Sequence, residues 1–312
     1  MEEQFDIGKQ NTSKALLLSG DIYLFRKSFW TGAMDVDKSG GTDQGFSKSF
    51  EKTESNSPER TTFRDKIGVA EIYSWQMWKA ALTETVATIF FIFTLVTFII
   101  ASFESNVSEP RLLLLFAVFI PCFLFIWVMF PLSGAFMNPM ITFIAALMGA
   151  VTTVRAIFYF LGQLGGSILA YFLMKIVMND EIVDKYLVGG CYINRDGTGI
   201  SPGTALLLEF VCNFIVLVTS MTVVFNKKRL QEIGVTAVCA LIAGSISVAI
   251  FVSVMITGQP GYAAAGLNPA RCLGPALVVG KHELWHGHWV FWLGPFLACI
   301  VYYAYAKTLP EI

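Results

Sequence analysis

Charge is scarce through most of this chain, and histidine is absent from it until His282. Of the 45 Lys, Arg, Asp and Glu residues, 23 precede Ala80, which leaves roughly the last three-quarters of the chain with few ionic groups. With 55% hydrophobic residues and a mean hydropathy of +0.61, that scarcity excludes a soluble globular domain and reads as a polytopic membrane protein. A net charge of −1 argues against nucleic acid as a partner. No His, Cys or Asp constellation lies in the apolar region, so neither an enzyme, a cofactor nor a metal site is expected. The six cysteines lack the spacing of a zinc or redox pair. Cys122, Cys212, Cys239 and Cys299 sit in apolar runs and read as small buried hydrophobes. The acidic start, Met1-Glu2-Glu3-Gln4, is not that of a cleaved signal peptide.

Residues 1–77 form a polar tail with a Ser39-Gly40-Gly41 stretch and a Ser/Thr/Glu-rich run from Ser47 to Thr62. The tail lacks the apolar density for a core and is expected to be largely disordered. Thr61 and Thr62, between Arg60 and Arg64, are candidate phosphorylation sites there, with a plain solvated tail as the alternative. Residues 78–308 are read as one channel-like domain built from two repeats, about 80–177 and 203–306.

Six apolar runs are long enough to span a bilayer: about 80–103, 112–132, 155–177, 203–224, 234–256 and 289–306. Two further apolar stretches, of about ten residues each, are too short to span and suit re-entrant half-helices. Each begins with the same device, Asn138-Pro139-Met140 in one and Asn268-Pro269-Ala270 in the other. Asn caps the free backbone N–H groups of a helix start, and Pro at the first helical position gives up no hydrogen bond. The repeat is also visible in Glu84 of span one and Glu209 of span four, which precede the capping Asn by 54 and 59 residues. An odd number of spans per half turns the two halves over, so the half-helices enter from opposite faces. The expected fold is therefore an all-α membrane protein: six transmembrane helices plus two re-entrant half-helices in an inverted repeat.

Basic residues in the short loops set the orientation. Lys79, Arg155, Lys227-Lys228-Arg229 and Lys307 share one side, whereas Arg111, Lys185, Arg195 and Lys281 share the other. The first set is taken as cytoplasmic, which puts both termini inside. Asn106-Val107-Ser108 then lies in an outer loop as a candidate glycosylation site.

Irregular backbone at membrane depth is tolerated only where protein buries it or where it lines a cavity. Two helix N-termini meeting at mid-membrane place partial positive charge at the centre of a pore. The Asn138 and Asn268 amides supply donors there, which suits passage of neutral solutes and opposes cations and protons. Arg271, inside a membrane segment, is read as adding to that cation barrier on the outer side of Asn268; the alternative is a snorkelling arginine. Glu84 and Glu209 have two readings. They bind a proton or ion in a coupled transporter, or they accept backbone N–H groups from the re-entrant loop of their own half, the reading that their matched positions favour.

Together, Ser133-Gly134-Ala135 with Asn138-Pro139, Gly266-Leu267-Asn268-Pro269-Ala270-Arg271, the two glutamates and His288-Trp289-Val290-Phe291-Trp292 with Gly294-Pro295 resemble the major intrinsic protein family of aquaporins and aquaglyceroporins. Cys272 directly after Arg271, the altered first motif and Gly189-Gly190-Cys191 resemble the plant X intrinsic protein subgroup. The resemblance implies a homotetramer with one pore per subunit in the plasma membrane. It also implies a four-residue selectivity filter, which gapless placement puts at Val118, Ile256, Ala265 and Arg271. Water-selective members carry an aromatic residue on span two and a histidine on span five, and this chain has no span-five histidine. Phe119 would narrow the filter if it faced the pore in place of Val118.

An apolar filter penalises single-file water, which loses hydrogen bonds there without replacement. It admits glycerol, urea, boric acid and hydrogen peroxide, which makes the bilayer and small neutral solutes the expected partners. A water-selective channel is the first alternative, and a junction or scaffold protein with a vestigial pore is the second. Met140 stands where the family usually has alanine and is expected to pack behind the half-helix tip, with a repositioned tip as the other reading. Cys191 and Cys272 are candidates for redox- or metal-sensitive thiols on the outer side, with unreactive thiols as the alternative.

Overall fold

The computed structural model describes residues 67–105, 107–193, 200–257 and 264–309. Asn106 and residues 1–66 of the tail lie outside them, as do Arg195 and the side chain of Ile256. The helices, in chain order, are α1 (Trp75–Glu104), α2 (Pro110–Ser133), α3 (Pro139–Leu147), α4 (Thr153–Val177), α5 (Asp180–Tyr186), α6 (Pro202–Val224), α7 (Lys227–Thr257), α8 (Pro269–Val279) and α9 (Val290–Ala306). Five of these, α1, α2, α4, α6 and the Glu232–Met255 part of α7, are long and apolar enough to cross a membrane. The 17 residues of α9 sit at the short end of the spanning range. α3 and α8 are the two half-helices, with 9 and 11 residues.

Packing repeats between the halves. α1 contacts α2 and α4, and α6 contacts α7 and α9 in the same way, while α2 against α7 joins the two units. The half-helices cross over: α8 lies on α4, and α3 lies on α9 as well as α4. Outward faces carry Phe90, Phe98, Phe116, Leu124, Leu161, Phe172, Leu207 and Ile300, all well exposed. Such continuous apolar surface suits hydrocarbon as solvent, and exposed Tyr73, Trp75, Trp285 and Trp289 near helix ends suit the membrane interface.

Regular structure is already present before the expected tail boundary at residue 77. A turn over Val69–Tyr73 leads into α1, Met77 is fully buried, and the Trp78 indole Nε1–H donates to the Ile72 carbonyl at 2.8 Å. Arg155 at the start of α4 pairs with Glu71 at 2.9 Å. An ion pair and an indole hydrogen bond make a docked segment, which hydropathy alone does not register. α7 starts seven residues before the expected span, and Gly234 at φ 76°, ψ 160° breaks its helical run, a conformation that glycine reaches without steric cost. The short polar helix α5 carries no hydropathy signal; Asn179 caps it by accepting from the Glu181 N–H at 3.0 Å.

The α1–α4 crossing depends on small residues. A Cβ added at Gly166 would stand 2.7 Å from the Thr85 carbonyl oxygen, and backbone cannot swing aside. Gly166→Ala is expected to cost about 1–3 kcal/mol by overpacking. Gly165→Ala, with nothing within 4 Å of the added methyl, is the control. Thermal melting in detergent should drop for the first variant and hold or rise for the second.

Candidate functional site

The two re-entrant loops are held from inside the bundle by carboxylates. Glu84 of α1 is fully buried and accepts four hydrogen bonds: from Ser133 Oγ at 2.6 Å, the Phe136 N–H at 3.0 Å, the Met137 N–H at 2.7 Å and Gln163 Nε2 at 3.0 Å. Glu209 of α6, equally buried, accepts from the N–H groups of Gly266 and Leu267 and from Asn213 Nδ2. The Phe136, Met137, Gly266 and Leu267 N–H groups are backbone donors that a loop at membrane depth would otherwise leave unpaired, each at a cost of about 1–3 kcal/mol. Each carboxylate thus stands opposite the loop of its own half.

Each Asn then does two jobs. The Oδ1 of Asn138 accepts from the Met140 N–H at 2.9 Å, and that of Asn268 accepts from the N–H groups of Ala270 and Arg271 at 3.0 and 3.3 Å. Their amides cross the pseudo-symmetry axis. Asn138 Nδ2 donates to the Leu267 carbonyl and Asn268 Nδ2 donates to the Met137 carbonyl, both at 2.9 Å. The two accepting residues are non-glycine residues in the left-handed region, Met137 at φ 47° and Leu267 at φ 55°, a conformation kept by the surrounding hydrogen bonds. An amide nitrogen carries two hydrogens, so each Asn keeps one N–H for the lumen after this cross-bracing.

A cavity of about 110 Å³ runs past the pair. Its polar side is made by Gly134–Asn138, Gly266–Asn268 and Arg271. Its other walls are hydrocarbon: Phe91 and Leu95 of α1, Ile126 and Phe130 of α2, Val216 and Met221 of α6, and Ile242, Ile246 and Ile250 along one stripe of α7. The cavity reaches Ala150, Val224 and Phe225, close in sequence to Arg155 and Lys227. Met140 contributes to this wall but is 1% exposed, packed with Ile144, Leu217 and Met221. Pro139, Pro269 and Ala270 are buried as the first residues of α3 and α8.

Of the four positions placed in a filter, Arg271 lines the cavity, whereas Val118 and Ala265 are fully buried in one shared core cluster. The Ile256 side chain lies outside the described residues. Phe119 stacks on Phe123 with ring centroids 5.9 Å apart. Arg271, 7% exposed, donates from one terminal nitrogen to Cys191 Sγ at 3.2 Å and from the other to the Gly189 carbonyl at 3.3 Å.

Cys191 and Cys272 are joined in a disulfide across 81 residues, which corrects their description as free thiols. The pairing went unread because the fold, not the spacing, brings the loop after α5 onto the start of α8. Their place outside the apolar runs that hold the four buried free cysteines was the available signal. On the same face Lys185 meets Glu104 at 2.5 Å and Lys281 meets Asp184 at 2.6 Å. Exposed to water and screened by it, these pairs add little stability but show which ends face together.

His288, just before α9, stacks near Trp285 and Phe291, with Nδ1 3.0 Å from the Leu284 carbonyl and Nε2 without a partner. Burial pushes its imidazole below the usual histidine range. The folded state then binds fewer protons than the unfolded chain, so the stability is full above about pH 6.5 and is lost as pH falls. Wild-type melting temperature should decline from about pH 6.5 towards pH 5 more steeply than that of His288→Gln; parallel slopes would contradict this.

A family model described as "Major intrinsic protein" matches residues 71–304. "Probable aquaporin PIP2-6" of Oryza sativa subsp. japonica is 28% identical over 247 residues, covering 77% of this chain and 84% of that protein. "Probable aquaporin PIP2-8" of Arabidopsis thaliana is 29% identical over 249 residues, covering 78% and 85%. Among solved structures, the aquaglyceroporin from Plasmodium falciparum superposes with a TM-score of 0.59 at 17% identity, over 75% of this chain and 96% of that one, a likeness of fold. With the spans, the capped half-helices and the shared cavity in place, the chain belongs to the major intrinsic protein family, whose members are membrane channels and not enzymes.

Proposed function

We propose that this protein is a passive channel for small uncharged solutes, of which glycerol, urea, boric acid and hydrogen peroxide are the candidates, with low water permeability. The observation that carries the proposal is the contrast between the two sides of the cavity. One side offers the Asn138 and Asn268 amides and the Arg271 guanidinium, and the other offers an unbroken apolar wall that includes the isoleucine row on α7. A solute with a small apolar body and a hydroxyl or amide satisfies both sides at once. Water satisfies only the polar side, and an ion loses its hydration shell against two helix N-termini and a fixed positive charge. Absence of a histidine anywhere before His282 supports the same reading.

The proposal includes the finer assignments drawn from the sequence: the X intrinsic protein subgroup, a homotetramer in the plasma membrane, both termini cytoplasmic and Arg271 as the filter residue that faces the cavity. The names of the curated relatives favour a second reading, a water-selective aquaporin. Proteoliposome swelling separates the two readings. The first predicts solute uptake well above protein-free vesicles with modest water flux, and the second predicts fast water flux with no solute uptake.

A further inference from the structure

We infer that the Cys191–Cys272 disulfide is a positioning element for Arg271, holding its guanidinium against the outer wall so that the lumen stays open to the larger solutes. The inference rests on the neutral-solute reading above and concerns the same site. Two independent contacts tie Arg271 to the loop that carries Cys191: one terminal nitrogen donates to the Cys191 sulfur at 3.2 Å and the other to the Gly189 carbonyl at 3.3 Å. The Gly189 carbonyl belongs to a segment that is unfavourable by itself, and Cys191 follows that segment by two residues. Leu187, Val188 and Gly189 are consecutive left-handed residues, with φ of 49°, 53° and 68°, and two of them are non-glycine residues, one β-branched. Strain of this kind persists only when the surroundings over-determine it. Here the surroundings are the buried packing of Leu187 and Val188 together with a covalent tether at Cys191. Cys272 follows Arg271 on α8, so the disulfide links the strained loop to the residue next to the one the loop holds.

The space behind the disulfide is closed. A Cβ at Gly266 would collide with the Cys272 sulfur and come within 3.4 Å of the Cys191 sulfur, while a Cβ at Gly190 would strike Leu284. Gly266 is also the residue whose N–H Glu209 holds. Disulfide, loop and carboxylate therefore form one rigid wall behind the arginine. The Arg271 Nε is buried without a partner, so the two contacts to the loop are its side-chain anchors there. If the tether is cut, the strained loop can relax, both acceptors move, and the guanidinium has the lumen as its open direction. A long side chain free in the lumen obstructs a large solute more than a small one, so the signature is a changed ratio and not a uniform loss.

The test compares wild type, Cys191→Ala and Cys272→Ala in proteoliposomes, with glycerol and hydrogen peroxide uptake measured on the same preparations. Cys191→Ala removes sulfur and tether, and Cys272→Ala removes the tether but leaves a sulfur at Cys191. The glycerol-to-peroxide ratio should fall at least about threefold in the first and by a smaller factor in the second, with monodisperse elution in detergent confirming folded protein. A ratio equal to wild type in both folded variants overturns the inference, as does a loss of both fluxes in proportion. A wild type that passes neither solute instead overturns the neutral-solute reading, so the two failures are distinguishable.

Discussion

Arg271→Val should let monovalent cations leak through a pore that excludes them in the wild type. A unit charge about 7 Å from a passing ion, at an effective dielectric constant near 20, opposes it by about 2 kcal/mol. Removing that charge is then worth roughly a thirtyfold rise in cation permeability. The two half-helix N-termini and the free Asn N–H groups remain, so the variant should stay far less permeable to cations than to neutral solutes. Neutral-solute discrimination should also weaken, because two donors that a hydroxyl or amide oxygen can meet disappear with the guanidinium. Liposome flux of potassium, glycerol and urea on matched preparations is the measurement. Unchanged selectivity would remove Arg271 from the filter.

Loss of Glu84 should abolish folding, not merely conduction. Glu84→Ala leaves Ser133 Oγ, two backbone N–H groups and Gln163 Nε2 without their shared acceptor in a fully buried place. At about 1–3 kcal/mol for each orphaned donor, the total rivals the ~5–15 kcal/mol that keeps an ordinary domain folded. No monodisperse protein is expected. Glu84→Gln keeps the shape but turns an amide donor towards a donor, with a cost near 3 kcal/mol and a melting temperature lower by about 10 °C. If Glu84→Ala elutes as folded protein with wild-type flux, the carboxylate is not what holds the first loop.

Much of this site is written locally. Asn138-Pro139 and Asn268-Pro269 announce their helices because capping chemistry involves residues two or three apart, and the structure starts α3 at Pro139 and α8 at Pro269. The spans are legible because a bilayer demands about 20 apolar residues in a row. What stayed hidden depends on distant segments meeting. The crossed Asn138–Leu267 and Asn268–Met137 hydrogen bonds join residues about 130 apart, and no periodicity encodes them. Gln163, which joins Thr142 to Glu84, has no local sequence feature that marks it as more than a polar residue in a span. The Cys191–Cys272 bond needed the loop after α5 to fold inward, and α5 itself is too short and polar for hydropathy to register. Filter positions are the hardest case, because a one-residue rotation on α2 exchanges Val118 for Phe119, and sequence pattern alone does not set that rotation.

A stopped-flow panel on the purified wild-type protein in proteoliposomes tests the central claim most directly. Water, glycerol, urea, boric acid and hydrogen peroxide are measured against protein-free vesicles of the same lipid. A cavity with one polar side and one hydrocarbon side predicts rapid uptake of several of the four solutes with water permeability only modestly above background. Fast water movement with all four solutes at background would contradict it.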